Sequence, residues 1–156
     1  MASKQEQPLI RTDKAEKYMK LASFMANEFS KDTTKVGAVF LRPDTLTILS
    51  TGYNGMPRGI DEDKKKRWER PYKYFYVSHA EMNAITSACK HGTSLDGSIA
   101  VVTMFPCSGC AKAMIQSGVK MVVCPKPDLD DKRWGEEFRY SLEMLEEAGV
   151  IISTCT

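Results

Sequence analysis

No apolar run in this chain approaches 18 residues, and no leading segment has the apolar stretch of a secretory signal. A membrane span and a signal peptide are therefore not expected, and a soluble, non-secreted, cytoplasmic protein is. Strong charge of either sign is also missing. The 22 Lys and Arg stand against 20 Asp and Glu, a formal net charge of +2. That balance argues against a protein that coats nucleic acid, while leaving room for a small anionic ligand. Cysteine is scarce and odd in number. Of the five, Cys89, Cys124 and Cys155 have no evident pairing framework, which fits inert thiols in a reducing compartment. Internal repeats and linker-like stretches are absent too. What remains is a chain of 156 residues, 42% hydrophobic, long enough for a sizeable core. One domain over residues 1–156 is expected, with the polar residues 1–12 as a flexible or loosely docked amino-terminal segment.

Periodicity fills in the elements. From residue 12 to about 29, Tyr18, Leu21, Ala22, Met25 and Phe29 recur at helical spacing, which predicts an amphipathic helix. Residues 35–40 and 46–53 read as strands, and Arg42-Pro43-Asp44-Thr45 supplies turn chemistry for an antiparallel hairpin. Residues 54–75 show no clear period, and a loop of that length is often functional. Helices are predicted over about 79–89, 107–117 and 136–148, stopped by Gly92, Gly118 and Gly149. Residues 99–103, 119–124 and 150–152 read as strands, the first two buried. Strand–helix–strand alternation implies parallel pairing with right-handed crossovers. Short connections imply one α/β sheet with helices on both faces.

Two short motifs carry the chemistry: His79-Ala80-Glu81 and Pro106-Cys107-Ser108-Gly109-Cys110. A catalytic zinc takes three protein ligands and keeps one position for water. His79, Cys107 and Cys110 supply three such ligands, and Glu81 is left to shuttle a proton. Cys107 and Cys110 are three apart, so one helical turn points both sulfurs the same way. His79, Cys107 and Cys110 all fall at predicted helix starts, where parallel-sheet folds place ligands and helix N-termini favour thiolates. A lone CxxC also serves redox pairs and structural zinc, but a structural site usually has four protein ligands and no fourth is evident. Zinc nucleobase deaminases carry this H-x-E…P-C-x-x-C pattern with a non-ligand glutamate. In that reading zinc lowers the pKa of a bound water toward ~7. Glu81 takes the water proton and delivers it to the ring nitrogen, and then helps the amine leave as ammonia. The Ala80 amide donates to the ring carbonyl.

The stretch Gly52-Tyr53-Asn54-Gly55-Met56-Pro57-Arg58-Gly59 narrows the field. With Tyr76-Val77-Ser78-His79-Ala80-Glu81-Met82-Asn83-Ala84-Ile85 and Phe105-Pro106-Cys107-Ser108-Gly109-Cys110-Ala111-Lys112, it closely resembles the deoxycytidylate (dCMP) deaminase family, over about residues 30–150. The resemblance implies a three-layer α/β/α fold with a five-stranded mixed sheet. It implies zinc-dependent hydrolysis of dCMP to dUMP and ammonia, which feeds thymidylate synthesis. It also implies a homohexamer activated by dCTP with Mg2+ and inhibited by dTTP. By resemblance, Asn54 contacts the substrate sugar, and Gly52, Tyr53, Asn54, Gly55 and Gly59 belong to a loop shared by the active site and the effector pocket. Ser30, Lys31 and Lys35 align with a region that helps bind the 5′-phosphate. Among Trp68, Tyr72, Tyr74 and Tyr76, which otherwise pack the loop or line a subunit contact, Tyr76 is the best candidate for a contact near the base.

Two departures from the family pattern bear on function. Some members hold a second zinc through a cysteine in the loop before the histidine. This loop has none, so one zinc per chain is expected. Residues 127–135 lack a tyrosine that often helps hold the phosphate, leaving Arg133 or Trp134 as substitutes. A modified deoxycytidylate or dCTP thus stays open as substrate. A base in RNA or DNA would call for a basic stripe, which the balanced charge does not favour. A non-catalytic nucleotide-sensing module fits poorly with an intact Glu81. Simpler readings stand beside these: Asn54-Gly55 as turn formers, Lys64–Arg67 as a solvated loop, and His91 as a surface residue at a helix end.

Overall fold

Gly37 has no side chain because there is no room for one. A Cβ placed there would lie 1.9 Å from the carbonyl oxygen of Ala22. At Gly52 a Cβ would lie 2.2 Å from the Ala80 carbonyl oxygen. These two contacts press one helix onto each face of a sheet. The structure is a computed structural model and describes residues 9–155. The helices are α1 (Thr12–Phe29), α2 (Lys73–Tyr76), α3 (Ala80–His91), α4 (Ser108–Gln116) and α5 (Gly135–Glu147). The strands are β1 (Gly37–Leu41), β2 (Ile48–Tyr53), β3 (Ile99–Val102), β4 (Met121–Pro125) and β5 (Ile151–Cys155).

The strands form one five-stranded mixed sheet in the order β2-β1-β3-β4-β5. β1 is antiparallel to both β2 and β3, whereas β3, β4 and β5 are parallel. Strand alternation sorts the core onto two faces. Val39, Leu41, Ile99, Val101, Met121 and Val123 pack with Ala15 and Ala22 of α1. Ala38, Phe40, Ala100, Val102, Val122 and Cys124 pack with residues of α3, α4 and α5, among them Ala84, Met114, Phe138 and Leu145. The result is the three-layer α/β/α arrangement that the sequence resemblance implied.

This topology decides where a site can form. Because β1 runs against both neighbours, β2 points the same way as β3 and β4. The carboxyl ends of these three strands share one sheet edge, and α3, α4 and α5 all begin beyond it. The residues leading into β1 reach the same edge. Open α/β sheets bind ligands at such edges.

Element bounds differ from expectation for local reasons. β1 begins at Gly37 because the Val36 N–H is taken by the Asn54 side chain. Thr103 leaves β3 but stays bonded to Gly37 through its N–H and its hydroxyl. β5 runs on to Cys155, paired with Pro125. Residues 54–75 are not wholly irregular. They hold a 3-10 turn at Lys65–Trp68 and the start of α2. The Gly55–Ser78 bridge closes this excursion at its base. Of the expected amino-terminal segment, residues 1–8 lie outside the described residues. Ile10 is buried with the α1-side core and Thr12 opens α1, so the last part of that segment is docked. No helix among the described residues is long and apolar enough to cross a membrane.

Candidate metal and catalytic site

His79 is the residue just before α3, and Cys107 is the residue just before α4. Both have extended backbone, with ψ of 156° and 170°. Cys110 follows one turn into α4. The Cys107 sulfur lies 3.3 Å from His79 Nδ1, and the Cys110 sulfur 3.6 Å from the same nitrogen. All three donor atoms lie within 4.8 Å of one another. Tetrahedral zinc with bonds of ~2.3 Å to sulfur and ~2.0 Å to nitrogen sets S and N about 3.5 Å apart. The donor set therefore fits zinc in type, number and spacing. A fourth protein ligand is missing from the cluster among the described residues, the pattern of a catalytic rather than a structural site.

The electrostatics agree with a soft cation site. The hydrogen bond from Cys110 and the neighbouring His79 bring the Cys107 thiol down to about 4. Cys110, bonded to the Cys107 sulfur and buried, is pushed up. A metal ion held here takes its sulfur ligands as thiolates. The Cys107 contact raises His79. Glu81, in the first turn of α3, is buried with 3% of its surface exposed. Burial pushes its carboxyl up to about 7, so near neutral pH it can both hold and release a proton.

The motif loops are held from behind. Glu137, in the first turn of α5, accepts hydrogen bonds from the N–H and hydroxyl of Ser108. These bonds hold the Glu137 carboxyl below the usual range. The Ser141 hydroxyl donates to the Pro106 carbonyl at 2.7 Å. Asn83 donates to the Tyr53 carbonyl at 2.9 Å and reaches Ser78 at 3.3 Å. Ser50 donates to the Ala84 carbonyl. Together with the bare Gly52 contact, these bonds seat the start of α3 on β2.

A cleft at this centre is lined by His79, Ala80, Glu81 and Cys107 together with Asp32, Asn54, Arg70, Lys73 and Tyr74. Trp134 and Phe138 line it too. Trp134 stacks on Phe138 and meets the His79 ring edge-on, with centroids 6.2 Å apart. Arg133 is not among the lining residues.

A matching family is decisive at this point: residues 12–126 match the "Cytidine and deoxycytidylate deaminase zinc-binding region". The chain belongs to the cytidine and deoxycytidylate deaminase family. As a member of this family it is a hydrolytic enzyme with a zinc-binding domain. It is 36% identical over 140 residues to an uncharacterized deaminase of Aliivibrio fischeri, covering 89% of this chain and 91% of that one. It is 39% identical over 113 residues to the human deoxycytidylate deaminase, covering 68% of this chain and 61% of the human protein. The chain thus spans under two thirds of the human protein. A dCMP deaminase of the cyanophage S-TIM5, solved in complex with dCMP and dUMP, superposes with a TM-score of 0.75 at 28% identity, covering 94% of this chain and 99% of that one.

Other residues singled out from the sequence are placed as follows. The Asn54 amide is fully engaged. Its Oδ1 accepts from the Ser30 hydroxyl and the Val36 N–H, both at 2.8 Å. Its Nδ2 donates to the Thr34 carbonyl at 2.6 Å and to Asp32 at 3.4 Å. Lys31 pairs with Glu62, and Lys35 donates to the Ser30 carbonyl. Tyr76 lies beneath the Arg67 guanidinium at 4.6 Å. Ser30, Lys31, Lys35 and Tyr76 are not lining residues of the cleft. Tyr53 stacks on Phe29 at the surface, and Gly59 stands exposed in the loop.

Sequence reasoning passed over a buried ion pair that lines the cleft. Lys73 Nζ lies 2.7 Å from Asp32 Oδ1, with the two side chains 9% and 4% exposed. Burial pushes the Asp32 carboxyl up, and the bond and charge of Lys73 more than offset this, leaving it below the usual range. The one available signal was a single lysine in the aromatic run Tyr72-Lys73-Tyr74-Phe75-Tyr76.

Proposed function

We propose that this family member deaminates dCMP to dUMP and ammonia, with His79, Cys107 and Cys110 holding one zinc ion. The observation that carries the reading is the convergence of a three-donor cluster with a buried, non-ligand Glu81 in one cleft. The relative solved with dCMP and dUMP supports the choice of nucleotide.

A zinc ion held by these donors supplies Lewis-acid activation of a water molecule. The remaining work falls to the chain. Glu81 removes one water proton and delivers it to the ring nitrogen, then carries the proton of the added hydroxyl to the amine, which leaves as ammonia. Its position at the upper end of the carboxylate range suits both directions of transfer. The Ala80 N–H lies in the first turn of α3, where backbone donors have no intrahelical partner, and it donates to the ring carbonyl. Trp134 and Phe105 exclude water from the apolar side of the cleft.

The proposal extends to a cytoplasmic enzyme that supplies dUMP for thymidylate synthesis, activated by dCTP with Mg2+ and inhibited by dTTP. It extends to a homo-oligomer, the hexamer of the family. In support, Phe24, Phe29 and Tyr53 form an exposed aromatic run with centroid spacings of 6.4 and 5.6 Å, the kind of surface a second copy covers. One panel tests the reading. Zinc-loaded protein is given dCMP, CMP, dCTP and a 5-substituted dCMP, with and without dCTP-Mg2+, and ammonia is measured. dCMP is expected to turn over fastest. Silence on dCMP with zinc in place contradicts the proposal.

A further inference from the structure

We infer that Arg70 and Tyr74 clamp the 5′-phosphate of the nucleotide in this cleft, an inference that rests on the nucleotide reading above. Both residues line the cleft that holds His79, Glu81 and Cys107. The Arg70 Nε–H donates to the Tyr74 hydroxyl oxygen at 2.8 Å. That bond fixes one edge of the planar guanidinium and uses the phenol as acceptor. The two Nη groups and the phenol proton are left over. A nitrogen fork beside an O–H donor matches the oxygens of a phosphate.

The other cation lining the cleft, Lys73, and the two lysines of the 30–35 stretch are committed. Lys73 is held by Asp32 in a buried pair. Lys31 faces Glu62 and Asp63. Lys35 donates to the carbonyls of Asn27 and Ser30. Among the described residues Arg70 makes no ion pair. Among the described residues that line the cleft, Arg70 is thus the cation left to meet a nucleotide phosphate.

The test compares each nucleotide with its nucleoside. Turnover of dCMP and deoxycytidine is measured for the zinc-loaded wild type, Arg70→Ala, Arg70→Lys and Tyr74→Phe. Binding of the product dUMP and of deoxyuridine is measured by calorimetry. Both side chains are exposed, and melting temperatures check that the variants fold. In Arg70→Ala the preference for dCMP over deoxycytidine is expected to fall by about 10- to 100-fold, carried by KM, because a lost bond to a charged group costs about that much. Arg70→Lys retains part of the preference, and Tyr74→Phe loses about 3- to 10-fold. dUMP binding weakens in parallel and deoxyuridine binding does not. An Arg70→Ala variant with unchanged dCMP preference and unchanged dUMP affinity overturns the clamp. A wild type that acts on neither dCMP nor deoxycytidine overturns the nucleotide reading instead, so the two failures are told apart.

Discussion

Glu81 Oε2 lies 3.6 Å from the Cys110 sulfur, yet the carboxylate stands outside the cluster of His79, Cys107 and Cys110. The two residues come from the first turns of different helices, α3 and α4. Their approach places an acid beside the metal site without making it a ligand. A group so placed can move protons for a reaction centred on the ion.

Replacing Glu81 by Gln keeps the side chain's size and removes its proton exchange. The rate constant kcat is expected to fall by about 10²- to 10⁴-fold, the usual contribution of a positioned acid–base group. Zinc content, read with a chromogenic chelator after denaturation, stays at one per chain. Undiminished turnover at full zinc content contradicts the role given to Glu81.

Glu137 acts at one remove, through Ser108 and the turn that carries both cysteines. Outer partners of metal ligands are typically worth 10- to 100-fold in affinity. Glu137 bonds a neighbour of the ligands rather than a ligand, so Glu137→Ala is expected at the lower end, about tenfold weaker zinc binding. Competition with a chelator of known affinity measures it, and an unaltered affinity counts against the bracing role.

The Lys73–Asp32 pair predicts a pH-dependent penalty. Lys73→Met strands a buried carboxylate, which costs about 3 kcal/mol near neutral pH. The Asp32 carboxyl is depressed in the folded state. Its stabilisation is thus present above the unfolded carboxyl pKa, about 3.9, and is lost as pH falls through the lower folded value. Denaturant melts of wild type and Lys73→Met should converge below about pH 4. A stability gap that is constant from pH 7 to pH 3 contradicts this account.

Gly52 sits under α3, so its substitution reaches the chemistry from a distance. In Gly52→Ala the new methyl meets backbone at Ala80 and Ala84, and overpacking of this kind costs about 1–3 kcal/mol. Because Ala80 lies between His79 and Glu81, kcat is expected to fall along with the melting temperature. A full-strength kcat in a destabilised variant separates the two and contradicts the coupling.

The metal donors and Glu81 were legible because their signal is local: residue type, spacing of two and three, and position at helix starts. Gly92, which ends α3 with a φ of 68°, was legible for the same reason. The insertion of β1 between β2 and β3 was not, because a hairpin motif fixes one neighbour of a strand and leaves the other to tertiary packing. Asp32 and Lys73 are 41 positions apart, and their contact belongs to the tertiary fold, in which the Gly55–Ser78 bridge closes the excursion that carries Lys73. Asn54 shows a further limit. Its residue type suggested a turn or a ligand contact, while the fold engages its amide with four partners around the entry to β1. Spacing carries no record of how a side chain spends its hydrogen bonds.

The proposed chemistry centres on one zinc ion held by one imidazole and two thiolates, with Glu81 beside it. X-ray absorption at the zinc edge of the purified protein reads that shell directly. Two sulfurs near 2.3 Å and one nitrogen near 2.0 Å, with one further light atom, are expected. A four-sulfur shell, or a protein that retains no zinc at all, would contradict it.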